Sequence, residues 1–103
     1  MKKFIYFRFS SYKYKNICMN YAFHMLNIFK EHNLIMDYGS KFDLEKNGIK
    51  YLIHISKNFK TEVITPNVNM LGFKGHYLLK KNDCKLYYYD ILNNNKKMYF
   101  PMD

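Results

Sequence analysis

The chain has 103 residues, enough for one small domain or for two lobes sharing a core. Lys and Arg number 17 against 8 Asp and Glu, a formal net charge of +9, and 49% of the residues are hydrophobic, too apolar a mix for a disordered basic tail. Lys, Asn, Tyr, Phe and Ile supply more than half of the chain while Arg and Ala occur once each, as Arg8 and Ala22, a drift toward residues with A/T-rich codons.

From the start of the chain, Phe4-Ile5-Tyr6-Phe7 reads as a short helix or a strand, and Arg8 breaks the apolar run too early for a signal peptide. Lys15-Asn16-Ile17-Cys18 is a candidate strand. Cys18, Tyr21, Ala22, Met25, Ile28 and Phe29 follow helical spacing, which predicts the main helix over 19–32 with Asn33 as its left-handed C′ residue. Met36 to Glu45 then reads as a strand, Asn47-Gly48 as a type I′ turn, and Ile49 to Ser56 as the partner strand. Ile49, Tyr51, Ile53 and Ile55 alternate with Lys50, Leu52 and His54, as a half-buried strand requires.

Lys57 to Gly75 is irregular and holds Pro66, Gly72 and Gly75, the signature of a connection between lobes. His76 to Lys80 and Lys85 to Tyr89 read as strands joined by the turn Lys81-Asn82-Asp83-Cys84. A polar loop over 93–97 and a last strand at Met98-Tyr99-Phe100 complete the chain. The predicted class is α+β, with one helix packed on a β-hairpin in an N-terminal lobe, residues 1–60, and a linker with a small β-rich lobe over 61–103. No apolar stretch approaches the length of a membrane span, so a soluble domain without a membrane span is expected.

The charge is uneven. Residues 1–30 carry +6 with no acid, residues 31–62 are neutral, and residues 63–103 carry +3. Two basic surfaces on a polyanion, with a scaffold between them, would give that pattern. Catalytic signatures are missing: there is no nucleophile elbow, zinc-protease motif, P-loop or dinucleotide fingerprint. His24, His32, His54 and His76 have no metal-ligand spacing, Asp43 and Glu45 read as solvated charge near a hairpin tip, and Cys18 and Cys84 read as reduced thiols packed as small apolar groups. The expectation is therefore no enzyme and no cofactor. Tyr87-Tyr88-Tyr89, beside Lys80, Lys81, Lys85, Lys96 and Lys97, is better placed for binding. Alternation separates Tyr88 from its neighbours, and an exposed ring among lysines suits base stacking with phosphate contact.

The order of elements resembles small-subunit ribosomal protein eight of the bacterial and organellar type. Phe29-Lys30-Glu31-His32-Asn33-Leu34-Ile35-Met36-Asp37-Tyr38 is similar to the end of that family's long helix, with Asn33 in place of glycine. Leu71-Gly72-Phe73-Lys74-Gly75-His76-Tyr77 followed by Lys80-Lys81-Asn82-Asp83 looks like its link into the C-terminal lobe. The family's Ser-Thr-Ser-Lys-Gly loop is replaced by Asp90-Ile91-Leu92-Asn93-Asn94. The resemblance implies a structural constituent of a small ribosomal subunit, held by ribosomal RNA and neighbouring ribosomal proteins, in an organelle and most simply a mitochondrion. It makes Asn93, Asn94, Asn95, Lys96 and Lys97 RNA contacts and puts Lys74 and His76 on phosphates, beside Lys81, Lys85 and Tyr88 from the aromatic-basic strand. The alternative reading is a small non-enzymatic protein-interaction subunit, such as an accessory component of an organellar complex or a phage inhibitor.

Overall fold

The computed structural model describes residues 1–9, 11–39, 44, 46–90 and 95–98, with Val68, Asp90 and 95–98 given by their backbone. Eight residues at the start, Lys2–Phe9, form β1, and from Phe4 onward every one is buried. A continuous apolar run of this kind is what a strand covered on both faces requires. Its neighbours are β2 (Asn33–Tyr38) and β3 (Thr61–Thr65), both parallel to it, and β4 (Lys85–Asp90) runs parallel to β3. β5 (Asn95–Met98) closes the far edge antiparallel to β4, giving the strand order β2-β1-β3-β4-β5. Strands from both sides of residue 60 thus share one sheet.

Three helices make the parallel connections: α1 (Lys15–Ile28), α2 (Asn47–Asn58) and α3 (Gly72–Lys81). The chain moves from β1 outward to β2, then crosses back over β1 to β3 and on to β4. Because crossovers are right-handed, that reversal puts α1 on one face of the sheet and α2 with α3 on the other. The core confirms it. Ile5, Phe7 and Ile64 pack with Ala22 and Met25 of α1, while Phe4, Tyr6, Val63 and Leu86 pack with Ile49 and Leu52 of α2 and Leu79 of α3. Alternate residues of β1 feed the two layers, as the period of a strand dictates.

The mixed α+β class stands, with four parallel strands and three helices. The layout inside it is corrected. The main helix starts earlier than expected, at Lys15 rather than Met19, which absorbs the candidate strand at 15–18, and Asn33 opens β2 instead of capping a helix. The hairpin over 36–56 does not form, because its second half is α2. The alternating isoleucines mislead: α2 buries Ile49, Leu52 and Ser56, a helical stripe, and leaves Tyr51 exposed. His76 to Lys80 belongs to α3, and the irregular link contains β3, while the Lys85 to Tyr89 strand is present as β4.

Gly48 is needed for proximity rather than for a turn. A Cβ there would lie 2.6 and 2.7 Å from the two carboxylate oxygens of Asp37 and 2.7 Å from Ile35 Cγ2. Gly→Ala in a helix is ordinarily favourable by about 1 kcal/mol. Here the collision reverses the sign, and Gly48→Ala is expected to destabilise by about 1–3 kcal/mol in urea unfolding. A variant as stable as the parent would show that α2 does not sit this close to β2.

Candidate functional site

In an open parallel sheet, ligands bind beyond the carboxyl ends of the strands, where the strand order reverses. In this sheet that point lies between β1 and β3, with β2 alongside. The chain leaves β1 at Phe9 and continues through Ser10 and Ser11; Ser10 lies outside the described residues. Ser11 caps a 3-10 turn over Tyr12–Tyr14, its Oγ accepting from the Lys13 amide at 3.2 Å. At the end of β3, Thr65 is fully buried and its Oγ1 donates to the Asn67 carbonyl at 3.0 Å.

Beneath this end is a buried polar cluster. Tyr6 donates its hydroxyl to Asp37 Oδ2 at 2.6 Å, and Arg8 Nε donates to the Tyr6 oxygen at 2.8 Å. Arg8 Nη2 stands 3.8 Å from Asp37 Oδ2, with both side chains almost wholly buried. Asp37 also accepts from the backbone amides of Gly48 and Ile49, each at 2.8 Å, at the start of α2. A helix N-terminus has unpaired amides and positive partial charge, so it is a natural seat for a carboxylate. Burial, reinforced by the Asp37 hydrogen bond and charge, pushes the Tyr6 phenol far above its ordinary value. Tyr6 therefore stays protonated and stays a donor.

An aromatic cluster borders the same end. Tyr12 and Tyr38 stack with centroids 4.4 Å apart, and Phe9 meets both rings, at 5.9 and 5.4 Å. Lys15 Nζ lies 5.8 Å from the Tyr12 ring centre and Lys46 Nζ 5.9 Å from that of Tyr38. Gly39, just beyond β2, has φ +119, a conformation glycine adopts freely, and its amide donates to the Phe9 carbonyl at 3.0 Å.

The residues expected to bind RNA do not converge. A helix joining two parallel strands runs back along the sheet, so Lys74 in the first turn of α3 belongs to the carboxyl end, while Lys81 in the last turn and Lys85 at the start of β4 belong to the opposite end. Lys74, Lys81 and Lys85 are exposed, and His76 is half-buried. Tyr88 is half-buried and packs against the α2–α3 core. Asn95, Lys96 and Lys97 are strand residues, opposite Asp90, Tyr89 and Tyr88, rather than a loop. Asn93 and Asn94, like Asp43 and Glu45, lie outside the described residues. Among the described residues no group of His, Cys, Asp and Glu could hold a metal ion, and no helix is long and apolar enough to cross a membrane. Both cysteines are free thiols, with Cys84 buried and pushed up to about 12 by that burial and by the charge of Glu62.

Sequence reading passed over Arg8, Asp37 and the two serines as site residues. The signal available was a lone arginine and a lone aspartate, each inside an apolar run, where an unpaired charge is costly.

No family model and no curated protein matches the chain. Solved structures do. The first open reading frame of transposon ISC1904 from Sulfolobus solfataricus P2 superposes with a TM-score of 0.70 at 25% identity, over 84% of this chain and 65% of that one. A serine recombinase from Sulfolobus solfataricus superposes at 0.69 with 22% identity, over 84% of this chain and 68% of its own. The C-terminal catalytic domain of ISC1926 TnpA, an IS607-like serine recombinase, superposes at 0.68 with 17% identity, covering 88% and 72%. The chain shares its fold with serine recombinases. It spans about two thirds of the length of the first of these structures.

That likeness overturns the ribosomal reading. The structural partners are recombinase and transposon proteins, so a small-subunit role with ribosomal RNA and ribosomal-protein neighbours is withdrawn, and the accessory-subunit alternative gains no support. The ribosomal resemblance rested on element order and on a hairpin that the chain does not form. The expectation of no enzyme conflicts with a fold that serves as a catalytic domain in TnpA.

Two outcomes follow from the site's electrostatics. Asp37→Asn removes the charge facing buried Arg8 and is expected to cost about 3–5 kcal/mol in denaturant unfolding; a loss under about 0.5 kcal/mol would remove Asp37 from its central place. Burial, with Lys80 nearby, lowers the pKa of His76 from 6.5. A folded pKa below the unfolded one means the unfolded chain binds more protons, so stability falls as pH drops through the ordinary histidine range. Urea melts at pH 7.5 and 5.5 should show that loss, and His76→Gln should reduce it. An equal loss in the variant would assign it to other groups.

Proposed function

We propose that this chain is a catalytic-type domain acting on DNA phosphodiesters in the manner of a serine recombinase, with Ser10 as the nucleophile. The observation that carries this reading is that β1 ends at Phe9 beside the strand-order reversal, that two serines follow it in the sequence, and that the guanidinium of Arg8 near that end is held by Tyr6 and Asp37. The 25% identity to the transposon protein and the shared fold with serine recombinases support it. Ser11 accepts from the Lys13 amide as a cap, which favours Ser10 over Ser11 for the chemical task.

The step is a phosphoryl transfer. The Ser10 oxygen attacks phosphorus and forms a serine–phosphate ester, the bond from phosphorus to one deoxyribose oxygen breaks, and the proton lost by serine ends on that sugar hydroxyl. No net hydrolysis occurs, so the bond energy is kept for rejoining. Negative charge develops on the non-bridging oxygens, and cations near them lower the barrier. Lys13 and Lys15 contribute exposed positive charge beside the strand end, while Arg8, buried and paired with Asp37, is held beneath it. Tyr6 and Asp37 are positioning residues, since they hold Arg8 and do not face the phosphate.

The test is a covalent-adduct assay with supercoiled and nicked plasmid DNA, stopped in detergent and resolved by denaturing electrophoresis. The parent and Ser11→Ala should form a protein–DNA adduct, and Ser10→Ala should lose it by at least a hundredfold, as loss of a nucleophile demands. An adduct undiminished in Ser10→Ala would place the nucleophile elsewhere, and no adduct from the parent on either DNA would contradict the activity.

A further inference from the structure

We infer that the exposed flank of α1 is a docking site for an acidic, amphipathic helix of another protein. The inference is independent of the chemistry assigned to Ser10.

α1 and its cap residue Phe29 carry three lines of side chains, each displaced by one residue from the last. Cys18, Ala22, Met25 and Phe29 face the core. One position earlier, about 100° round the helix, run Ile17, Tyr21, His24 and Ile28. All four are exposed, Ile17 at 54%, Tyr21 at 47% and Ile28 at 43%. One position earlier again, Asn16, Asn20 and Asn27 form with Phe23 the crest farthest from the core. The middle line repeats at four, three and four residues, the spacing of a seam into which a second helix packs. Because it lies on the flank, below a mostly polar crest, it suits a rod laid alongside α1. A flat lipid surface would meet the asparagines first.

Charge selects the kind of rod. Lys13 and Lys15 stand at the start of the seam and Lys30 just past its end, all exposed. None of the three has a carboxylate partner among the described residues. The first turn of α1 holds no acid, so the positive end of the helix dipole is also left without a carboxylate side chain. The nearest acid in sequence, Glu31, is engaged by Lys3 at 3.1 Å. A second copy of this chain, laid parallel, would set Lys13 against Lys13; laid antiparallel, it would set Lys13 and Lys15 against Lys30. A nucleic acid would satisfy the lysines and press its phosphates onto the apolar line between them. A helix with an apolar seam and carboxylates toward its ends satisfies both.

The experiment measures fluorescence anisotropy of two labelled helical peptides with the full chain. Both peptides carry the same leucine seam, one flanked by glutamates and the other by lysines. The glutamate peptide should bind and the lysine peptide should not. Tyr21→Ala should weaken the glutamate peptide about tenfold, as loss of a central aromatic anchor does. Ile17→Ser should repeat the loss, while Phe23→Ala on the crest should leave the affinity unchanged; circular dichroism checks that each variant is folded. Lys30→Ala should make binding less sensitive to added salt. Equal affinity for the two peptides, no binding of the glutamate peptide, or an affinity untouched by Tyr21→Ala would each overturn the inference. A dimer in sedimentation equilibrium that Tyr21→Ala dissolves would give the seam to a second copy and overturn it too.

Discussion

The carboxylate of Asp37 is the constraint around which this end of the molecule is built. It sits near the end of an edge strand, is buried, and must be neutralised where it lies. Two elements supply the partners: the Tyr6 hydroxyl and the Arg8 guanidinium from β1, and two backbone amides from the start of α2. One charge therefore sets the distance between β1, β2 and α2. It also explains a glycine at position 48, where any side chain would occupy the carboxylate's own space. Arg8, the only arginine of the chain, is thereby held two residues before the serines instead of extending into solvent.

Much of the fold was legible, because burial leaves a period. β4 shows in its tyrosine-rich alternation, α1 in its helical stripe, and the mixed class in their succession. α2 was not, because a chain rich in isoleucine can satisfy both periods at once. Ile49, Ile53 and Ile55 fit a strand, while Ile49, Leu52 and Ser56 are the residues that the helix buries. The helix is favoured by tertiary contacts that a period does not show: its first amides, of Gly48 and Ile49, donate to the buried Asp37 carboxylate. α3 hid for a related reason. Gly75 looks like a turn, but it lets the helix approach Ile49, whose Cδ1 would lie 3.3 Å from a Cβ.

The site was less legible than the fold. Tyr6 and Asp37 are 31 residues apart, and only the parallel pairing of β1 with β2 makes them neighbours. The lysines, by contrast, were conspicuous and poor guides. The chain's excess of lysine spreads charge over both ends of the sheet, from Lys2, Lys81 and Lys85 at one end to Lys13, Lys15 and Lys74 at the other. Net charge indicates an anionic partner but not the face it meets. The carboxyl end is singled out by coincidence of chemistry: Arg8 held near the end of β1, two serines that follow β1 in the sequence, and the stack of Tyr12 on Tyr38 from the end of β2.

The central claim is that DNA meets the carboxyl end of the sheet. Its most direct test is a titration of the isotopically labelled chain with a short DNA carrying an unpaired overhang, followed by backbone amide shifts in two-dimensional NMR. The account predicts the largest shifts at Phe9 to Lys15, Tyr38 and Gly39, and Thr65 to Asn69. Shifts confined to Lys2, Lys57 to Thr61 and Lys81 to Lys85, at the opposite end, would contradict it.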